Sequence, residues 1–298
     1  MSAQPIGAVS PISDTELQSL LLEYRRENWK GIQTDEAQKQ VVESLIRSDA
    51  AGPLHQVEPY LRISADSRIL DLGSGVGSFV VECRRRGLRA FGLEPDRIGQ
   101  GAKITSIQIA RRRLVAPAFV SGVGEGLPFP DASFDLVVMN QVIEHVREQS
   151  TVLREAARVL RPGGAIYIAC PNYLRFYEPH YKIFWAPLLP KAVARIYLRL
   201  RGRSPAMLDQ ITYTTNSRIR NLLAAFGPDY AVFDIHREEF LRKRASGSFA
   251  ASSTRMVSRL TQLPVIGPLI LRAILGYGSI SAGGCEMVVV RRTKAAGK

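Results

Sequence analysis

The first residues that could support chemistry form a short glycine-rich segment in this 298-residue chain. Gly73, Gly75 and Gly77 follow directly after the apolar run Ile69–Leu72, which includes Asp71. Glycine allows a tight turn and lets another molecule approach the main chain closely. The apolar run is typical of a buried parallel strand, and residues 76–86 have the periodicity of a helix. A strand, a glycine turn and a helix in this order predict a nucleotide-type binding site.

The spacing of these glycines narrows the class of nucleotide. A dinucleotide-binding turn has the pattern G-x-G-x-x-G, whereas this chain has G-x-G-x-G. The next predicted strand ends at Glu94, whose carboxylate could accept hydrogen bonds from both hydroxyls of a ribose. Asp71 would disfavour a pyrophosphate beside the turn but would tolerate a ligand with an amino-acid head and a sulfonium.

A second group of candidates follows the fourth predicted strand, at the edge where open α/β sheets bind ligands. Asn140 and Gln141 come first, and Glu144 and His145 follow them. Glu144 and His145 could serve as a catalytic base, orient an acceptor or hold a divalent cation; alternatively, Glu144 caps the following helix and His145 bonds a carbonyl. His180 lies in an aromatic segment where a substrate would enter, and it is the third catalytic candidate unless it is simply satisfied there.

Five collinear motifs resemble those of the class I S-adenosylmethionine-dependent methyltransferases. The resemblance covers about residues 67–172 and the last strand, and its motifs are Ile69–Phe79, Gly92–Asp96, Gly122–Phe129, Ser133–Val146 and Leu160–Gly164. It implies S-adenosylmethionine as the cofactor. Many relatives carry an aspartate two residues before Glu125, where this chain has Val123. Either the main chain near Gly124 and Glu125 would then contact the adenine, or packing alone would hold it. The implied cofactor-binding residues are Asp71, Gly73, Ser74, Gly75, Gly77, Glu94, Pro95, Gly124, Glu125, Asn140 and Gln141.

The predicted fold is an α/β, Rossmann-like, seven-stranded and mostly parallel sheet with helices on both faces and helical lid or cap insertions. The predicted strands are 68–72, 89–94, 117–122, 134–140, 164–170, 230–235 and 285–292. Helices are predicted over 14–48, 76–86 and 148–160. The predicted organisation is an N-terminal helical segment (1–50), the cofactor-binding core (51–172), an aromatic and basic lid (173–213), a core helix and strand (214–235), a basic and apolar insertion (236–283), and the last strand with a tail (284–298).

The basic residues are distributed unevenly. Residues 1–172 contain 20 Lys and Arg and 20 Asp and Glu, whereas the remaining residues contain 20 and 7, so the net charge of +13 lies outside the cofactor half. This excess indicates contact with an anionic partner, although solvated surface charge is the alternative. The three scattered cysteines favour a reducing compartment, and because no Cys/His metal spacing is present, no metal site is assigned.

Two long segments suggest contact with a membrane surface. In 173–213, Lys191, Arg195 and Arg199 repeat every four residues opposite an apolar face, as in an interfacial helix or an ordinary helix packed on the core. The second segment, 236–283, combines a basic cluster with an apolar stretch that two prolines and Arg272 interrupt; it is either a monotopic membrane insertion or a wall of the substrate pocket. No signal peptide or clean spanning helix is predicted, so we expect a cytoplasmic protein that is peripheral on the inner membrane face.

The predicted function is O-methylation of a small-molecule, glycan or lipid-linked acceptor by in-line methyl transfer. One alternative is a quinone or isoprenoid-lipid methyltransferase, and another is a non-catalytic, membrane-associated protein that retains the fold. The basic charge would suit nucleic acid, but the chain lacks an Asn/Asp-Pro-Pro-Tyr/Phe motif, which argues against a nucleic-acid substrate. The sequence does not identify the acceptor.

Overall fold

A seven-stranded sheet forms the centre of the protein. The structure, a computed structural model, describes residues 12–47, 50–96, 105–113, 118–246, 264, 268–269 and 284–293. The sheet order is β3-β2-β1-β4-β5-β9-β8, in which β1 to β5 are parallel and β9 runs antiparallel to both of its neighbours. Its strands are β1 (Arg68–Leu72), β2 (Arg89–Glu94), β3 (Phe119–Ser121), β4 (Phe134–Asn140), β5 (Leu160–Pro171), β8 (Tyr230–Asp234) and β9 (Gly284–Arg291). A separate hairpin joins β6 (Tyr177–Glu178) to β7 (Ile183–Phe184).

Helices cover both faces of the sheet, which confirms the predicted fold class. One apolar layer packs around α3, α4 and α5, and a second layer packs around α6 and α8. The helices are α1 (Asp14–Asn28), α2 (Asp35–Arg47), α3 (Gly52–Val57), α4 (Ser78–Arg85), α5 (Ser106–Arg111), α6 (Gln149–Val159), α7 (Lys191–Leu200), α8 (Asn216–Ala224) and α9 (Ile235–Ser246). Because the central strands are buried on both sides, their sequences are nearly continuous apolar runs.

Some predicted boundaries were wrong, and local capping explains two of them. The helical segment expected over 14–48 consists of two helices, because Gly31 adopts a φ of 71° between them and the Thr34 hydroxyl caps α2. Ile235 begins α9 rather than ending β8, since the Asp234 carboxylate accepts from the Arg237 main-chain N–H at 3.0 Å. The strand predicted from 164 starts at Leu160, which pairs with Phe134 before an irregularity in the register.

The segment 173–213 has a small core of its own. Tyr181 and Trp185 are fully buried there, stacked with ring centroids 6.5 Å apart. They pack with Ala194 and Leu198 of α7 and with Ile32 from the turn between α1 and α2. This second core, which we call the lid cluster, positions the lid and the N-terminal helices together beside the sheet. Much of the predicted insertion 236–283 lies outside the described residues.

Candidate active site

The glycine turn after β1 is held in one shape by main-chain hydrogen bonds. The N–H groups of Gly73 and Ser74 donate to the Leu93 carbonyl at 2.8 and 3.1 Å, and Gly77 donates to the Ser74 carbonyl at 2.8 Å. Gly73, Gly75 and Gly77 have φ values of 75°, 51° and 78°, a conformation that side chains disfavour. At Gly73 a side chain is also excluded by space, because a Cβ would lie 2.5 Å from a methyl of Val142.

Glu94 connects this turn to α5. One carboxylate oxygen accepts from the Gly75 N–H at 2.9 Å, and the other accepts from the Ser106 hydroxyl at 2.8 Å. Burial raises the pKa of this carboxyl, although both hydrogen bonds act in the opposite direction. Pro95 follows Glu94 directly at the end of β2. The structure therefore places Glu94 against the glycine turn, where an acceptor for ribose hydroxyls is expected.

Two buried polar groups at the turn suit a ligand with cationic character. Asp71 is 5% exposed, and burial together with the neighbouring charge of Glu94 raises its pKa to about 8. The Ser74 hydroxyl is buried and has no hydrogen-bond partner within the protein. An unpartnered buried hydroxyl beside a glycine turn fits a bound polar ligand. Asp71, Ser74 and Glu94 therefore provide buried polar groups of the kind that a ligand with amino, sulfonium and ribose groups requires.

The predicted adenine-contacting residues lie next to the turn. A Cβ at Gly124 would lie 3.2 Å from a methyl of Leu72, so this glycine lies against the end of β1. Glu125 accepts from the Arg147 main-chain N–H at 3.0 Å, which ties its loop to the segment after β4. Val123 is partly exposed at the same loop, where an apolar side chain can pack against a ring.

Asn140 and Gln141 border a cavity of about 300 Å³ at the carboxyl ends of β4 and β5. Gln141 adopts a φ of 60°, and its N–H donates to the Ala169 carbonyl at 2.7 Å. The other lining residues are Ala169, Cys170, Pro171, Asn172, Arg175, Tyr177, Pro179, His236, Gly284, Cys285 and Glu286. This cavity lies at the edge of the sheet where a ligand of an open α/β fold is expected.

Glu144 and His145, which are adjacent in sequence, converge with His180, which lies 35 residues after His145. The Nε2 atoms of His145 and His180 lie 3.2 Å apart, and Nε2 of His145 lies 3.9 Å from a carboxylate oxygen of Glu144. Glu144 is completely buried, and neither of its carboxylate oxygens has a hydrogen-bond partner within the protein. Burial raises the pKa of Glu144 to about 7, whereas loss of solvent and the adjacent His180 lower that of His145 to about 4.

Residues that the sequence analysis did not single out orient His180. Its Nδ1 lies 2.7 Å from a carboxylate oxygen of Glu178, which also accepts from the Tyr173 hydroxyl at 3.0 Å. Gln33 donates to the main-chain carbonyl of His180 at 2.6 Å, and Trp29 stacks near its ring. The position of Glu178 two residues before His180 was the one local signal available in the sequence. The contacts of Gln33 and Trp29 come from the turn between α1 and α2, about 150 residues away in sequence.

Comparisons with known proteins identify the domain. Residues 70–168 match the family described as "Methyltransferase domain". The chain is 28% identical over 155 residues to a demethylmenaquinone methyltransferase of Tropheryma whipplei, covering 51% of this chain and 60% of that protein. It is 35% identical over 116 residues to a biotin biosynthesis bifunctional protein of Cellvibrio japonicus, covering 38% of this chain and 22% of that protein. A crystal structure of an S-adenosylmethionine-dependent methyltransferase of Thermotoga maritima aligns with a TM-score of 0.43 and 21% identity, covering 66% of this chain and 80% of that chain.

Residues 70–168 form a methyltransferase domain of the class I S-adenosylmethionine-dependent family. For this domain, the predicted methyltransferase family and its cofactor, S-adenosylmethionine, are therefore confirmed, and the activity of the whole protein stays a proposal. The chain spans 60% or less of the length of the two curated relatives named above. The acceptor and the catalytic roles of individual residues stay predictions.

Proposed function

We propose that the protein O-methylates a hydroxyl group of a lipid-linked or glycan-like acceptor. The observation that carries this proposal is the convergence of Glu144, His145 and His180 close to the glycine turn. Val142 contacts Gly73, so the residues that immediately follow Val142 lie close to the turn. An uncharged oxygen nucleophile needs help in losing its proton, and carboxylate and imidazole groups provide it either as bases or as ligands of a cation that binds the hydroxyl.

When bound, S-adenosylmethionine supplies an electrophilic methyl carbon on a good leaving group. The chain has then to align the acceptor oxygen behind that carbon, which is worth roughly 7–11 kcal/mol in well-oriented systems. The cavity beside Asn140 and Gln141 is the proposed acceptor site. Its lining includes Pro179, the residue before His180, and it thus extends along both chain segments that form the catalytic group.

The proposed lipid character of the acceptor rests on an apolar surface of the lid. Val193, Ile196 and Leu200 are 50%, 60% and 81% exposed on α7, which packs on the lid cluster through Ala194 and Leu198 instead. Phe176 and Phe184, stacked with ring centroids 5.9 Å apart, are also exposed on the lid. Exposed apolar residues on a basic helix are typical of helices that lie on anionic membranes.

The basic residues of α7 are partly engaged within the lid. Lys191 donates to the Ile211 carbonyl at 2.6 Å, and Arg195 pairs with Asp209. The proposed attraction to an anionic surface therefore comes from the summed charge of the segment rather than from a free stripe of three residues. Within the described part of the chain, no helix has both the length and the apolar character needed to cross a bilayer.

Flotation with vesicles containing anionic lipid tests this surface. We expect the wild-type protein to float at low salt and the double variant Ile196→Ser and Leu200→Ser to bind the vesicles at least tenfold more weakly. Burial of each apolar side chain in the membrane contributes about 1 kcal/mol or more to the free energy of binding. Val232→Ser, at a 38% exposed position on the edge strand β8, is the matched control. Equal flotation of both variants would contradict the proposed surface.

A quinone or isoprenoid-lipid methyltransferase is the alternative, favoured by the name of the Tropheryma whipplei relative. Incubation with radiolabelled S-adenosylmethionine and either polyprenyl-linked glycans or demethylmenaquinone separates the two. Our proposal predicts label in an ether-linked methyl group of the first substrate, lost in His145→Ala and retained in His55→Ala, a change at an exposed histidine of α3. Label on a ring carbon of demethylmenaquinone would instead support the alternative.

A further inference from the structure

The contacts of the Nδ1 atoms favour one neutral tautomer of His145 and one of His180. Nδ1 of His180 faces the carboxylate of Glu178 at 2.7 Å, and Nδ1 of His145 faces the main-chain carbonyl of Gln210 at 3.4 Å. Carboxylates and carbonyls only accept hydrogen bonds, so each neutral ring carries its proton on Nδ1. Both Nε2 atoms therefore present lone pairs.

In these tautomers, the hydrogen-bond acceptors of His145, His180 and Glu144 face one another. The two Nε2 atoms lie 3.2 Å apart, and the carboxylate of the fully buried Glu144 lies beside them with both oxygens unpartnered. The three ligand atoms all lie within 4.8 Å of one another. Lone pairs and a buried carboxylate that face one another are costly unless a proton or a metal cation lies between them.

We propose that Glu144, His145 and His180 hold a divalent first-row transition-metal ion of the zinc type, to which the acceptor hydroxyl binds. Imidazole and carboxylate together suit such ions. In tetrahedral coordination with metal–nitrogen bonds of 2.0–2.1 Å, neighbouring ligand atoms are roughly 3.3 Å apart. The observed separations of 3.2 Å between the imidazoles and 3.9 Å between His145 and Glu144 are close to this value.

The contacts behind the histidines are those of metal ligands. A ligating histidine usually donates its second ring N–H to a carboxylate or a carbonyl, as His180 does to Glu178 and His145 to Gln210. With three protein ligands, one coordination position remains for an oxygen of the acceptor.

This inference rests on the proposed function and specifies how the hydroxyl is activated. A hydroxyl bound to a divalent cation loses its proton far more readily, here to solvent. The oxygen then bonds to the methyl carbon while the bond from that carbon to sulfur breaks, and its electron pair stays on sulfur. The acceptor class is therefore an alcohol or phenol whose oxygen can coordinate a metal.

Cobalt binding tests the site independently of activity. Full-length protein treated with a chelator and dialysed is titrated with Co²⁺, whose visible absorption reports the geometry of its ligands. We expect one equivalent to bind with a tetrahedral spectrum and to be displaced by Zn²⁺. Glu144→Gln and His180→Ala should each weaken Co²⁺ binding at least a hundredfold. Glu178→Gln, which alters the partner of His180 Nδ1 and of the Tyr173 hydroxyl without removing a proposed ligand, should weaken it about ten- to a hundredfold.

Matched measurements keep the outcomes separate. His55→Ala removes an exposed histidine outside the cluster and should bind Co²⁺ like the wild type. Thermal unfolding of each variant is measured with and without Zn²⁺. A cooperative transition shows that the variant folds, and a midpoint that Zn²⁺ does not raise shows that the folded variant has lost the metal site. No binding by the wild type at millimolar Co²⁺, or equal binding by all variants, overturns the inference. Titration of the same samples with S-adenosylmethionine shows separately whether the proposed function fails.

Discussion

Replacement of Glu94 by alanine tests the cofactor site most informatively. In the structure its carboxylate accepts from the Gly75 N–H at 2.9 Å and the Ser106 hydroxyl at 2.8 Å. A bound ribose would add two charge-assisted hydrogen bonds worth roughly 1.5–3 kcal/mol each. Because the oxygens already have protein partners, we take the lower end, about 3 kcal/mol in total, which corresponds to a roughly hundredfold weaker Kd. Titration calorimetry with S-adenosylmethionine measures this change.

The control for this prediction is Ser106→Ala. It removes one of the two contacts that Glu94 makes within the protein but leaves the carboxylate in place. We expect Ser106→Ala to lower the unfolding temperature slightly and to change the Kd for S-adenosylmethionine less than about fivefold. Only the hydrogen bond from the Ser106 hydroxyl to Glu94 is lost, and the carboxylate stays available to the ribose. A folded Glu94→Ala protein that binds S-adenosylmethionine within twofold of the wild type would refute the assignment of Glu94 to the ribose.

Three further predictions concern the same half of the chain. Burial raises the pKa of Asp71 from 3.8 to about 8. Between these pH values the folded protein holds a proton that the unfolded chain lacks. The free energy of unfolding should therefore be highest below about pH 4, as far as Asp71 contributes to it, and should fall as the pH rises towards 8. A cationic ligand favours the charged form, and calorimetry at pH 7 in two buffers of different ionisation enthalpy should therefore show proton release on cofactor binding in the wild type but not in Asp71→Asn. Gly73→Ala should lower the unfolding temperature by several degrees and weaken cofactor binding at least tenfold, because φ is 75° and the new Cβ would lie 2.5 Å from Val142, whereas Gly52→Ala, with open space, should change neither. Arg158→Ala should lower the free energy of unfolding, measured by chemical denaturation, by about 1–2 kcal/mol, since the Arg158 guanidinium donates to two main-chain carbonyls of the loop before β4. An unchanged denaturation midpoint would contradict this prediction.

The sheet and the glycine turn could be predicted because their signals are local. The apolar run before Gly73 and the alternation of strands with helices determine β1, the turn and the parallel order without knowledge of distant contacts. The interruption of the N-terminal helix at Gly31 was missed because the periodicity of apolar residues continues across it. The early start of α9 was also missed, since its cap is the aspartate that ends the preceding strand.

The cluster of Glu144, His145 and His180 could be predicted only in part. Glu144 and His145 are adjacent in sequence, and His180 was a separate candidate 35 residues later. Their convergence depends on the lid cluster, in which residues of the lid pack against the turn between the first two helices. The tautomers, and with them the argument for a cation, depend on Glu178 and the carbonyl of Gln210, and no sequence pattern indicates a main-chain carbonyl contact.

Titration of the purified wild-type protein with S-adenosylmethionine, and separately with NAD, tests the central claim most directly. The geometry of the turn, with Glu94 against Gly75 and no G-x-G-x-x-G spacing, predicts saturable 1:1 binding of S-adenosylmethionine in the micromolar range and no heat of binding with NAD. Absence of S-adenosylmethionine binding by the folded protein, or binding of NAD in its place, would contradict the account.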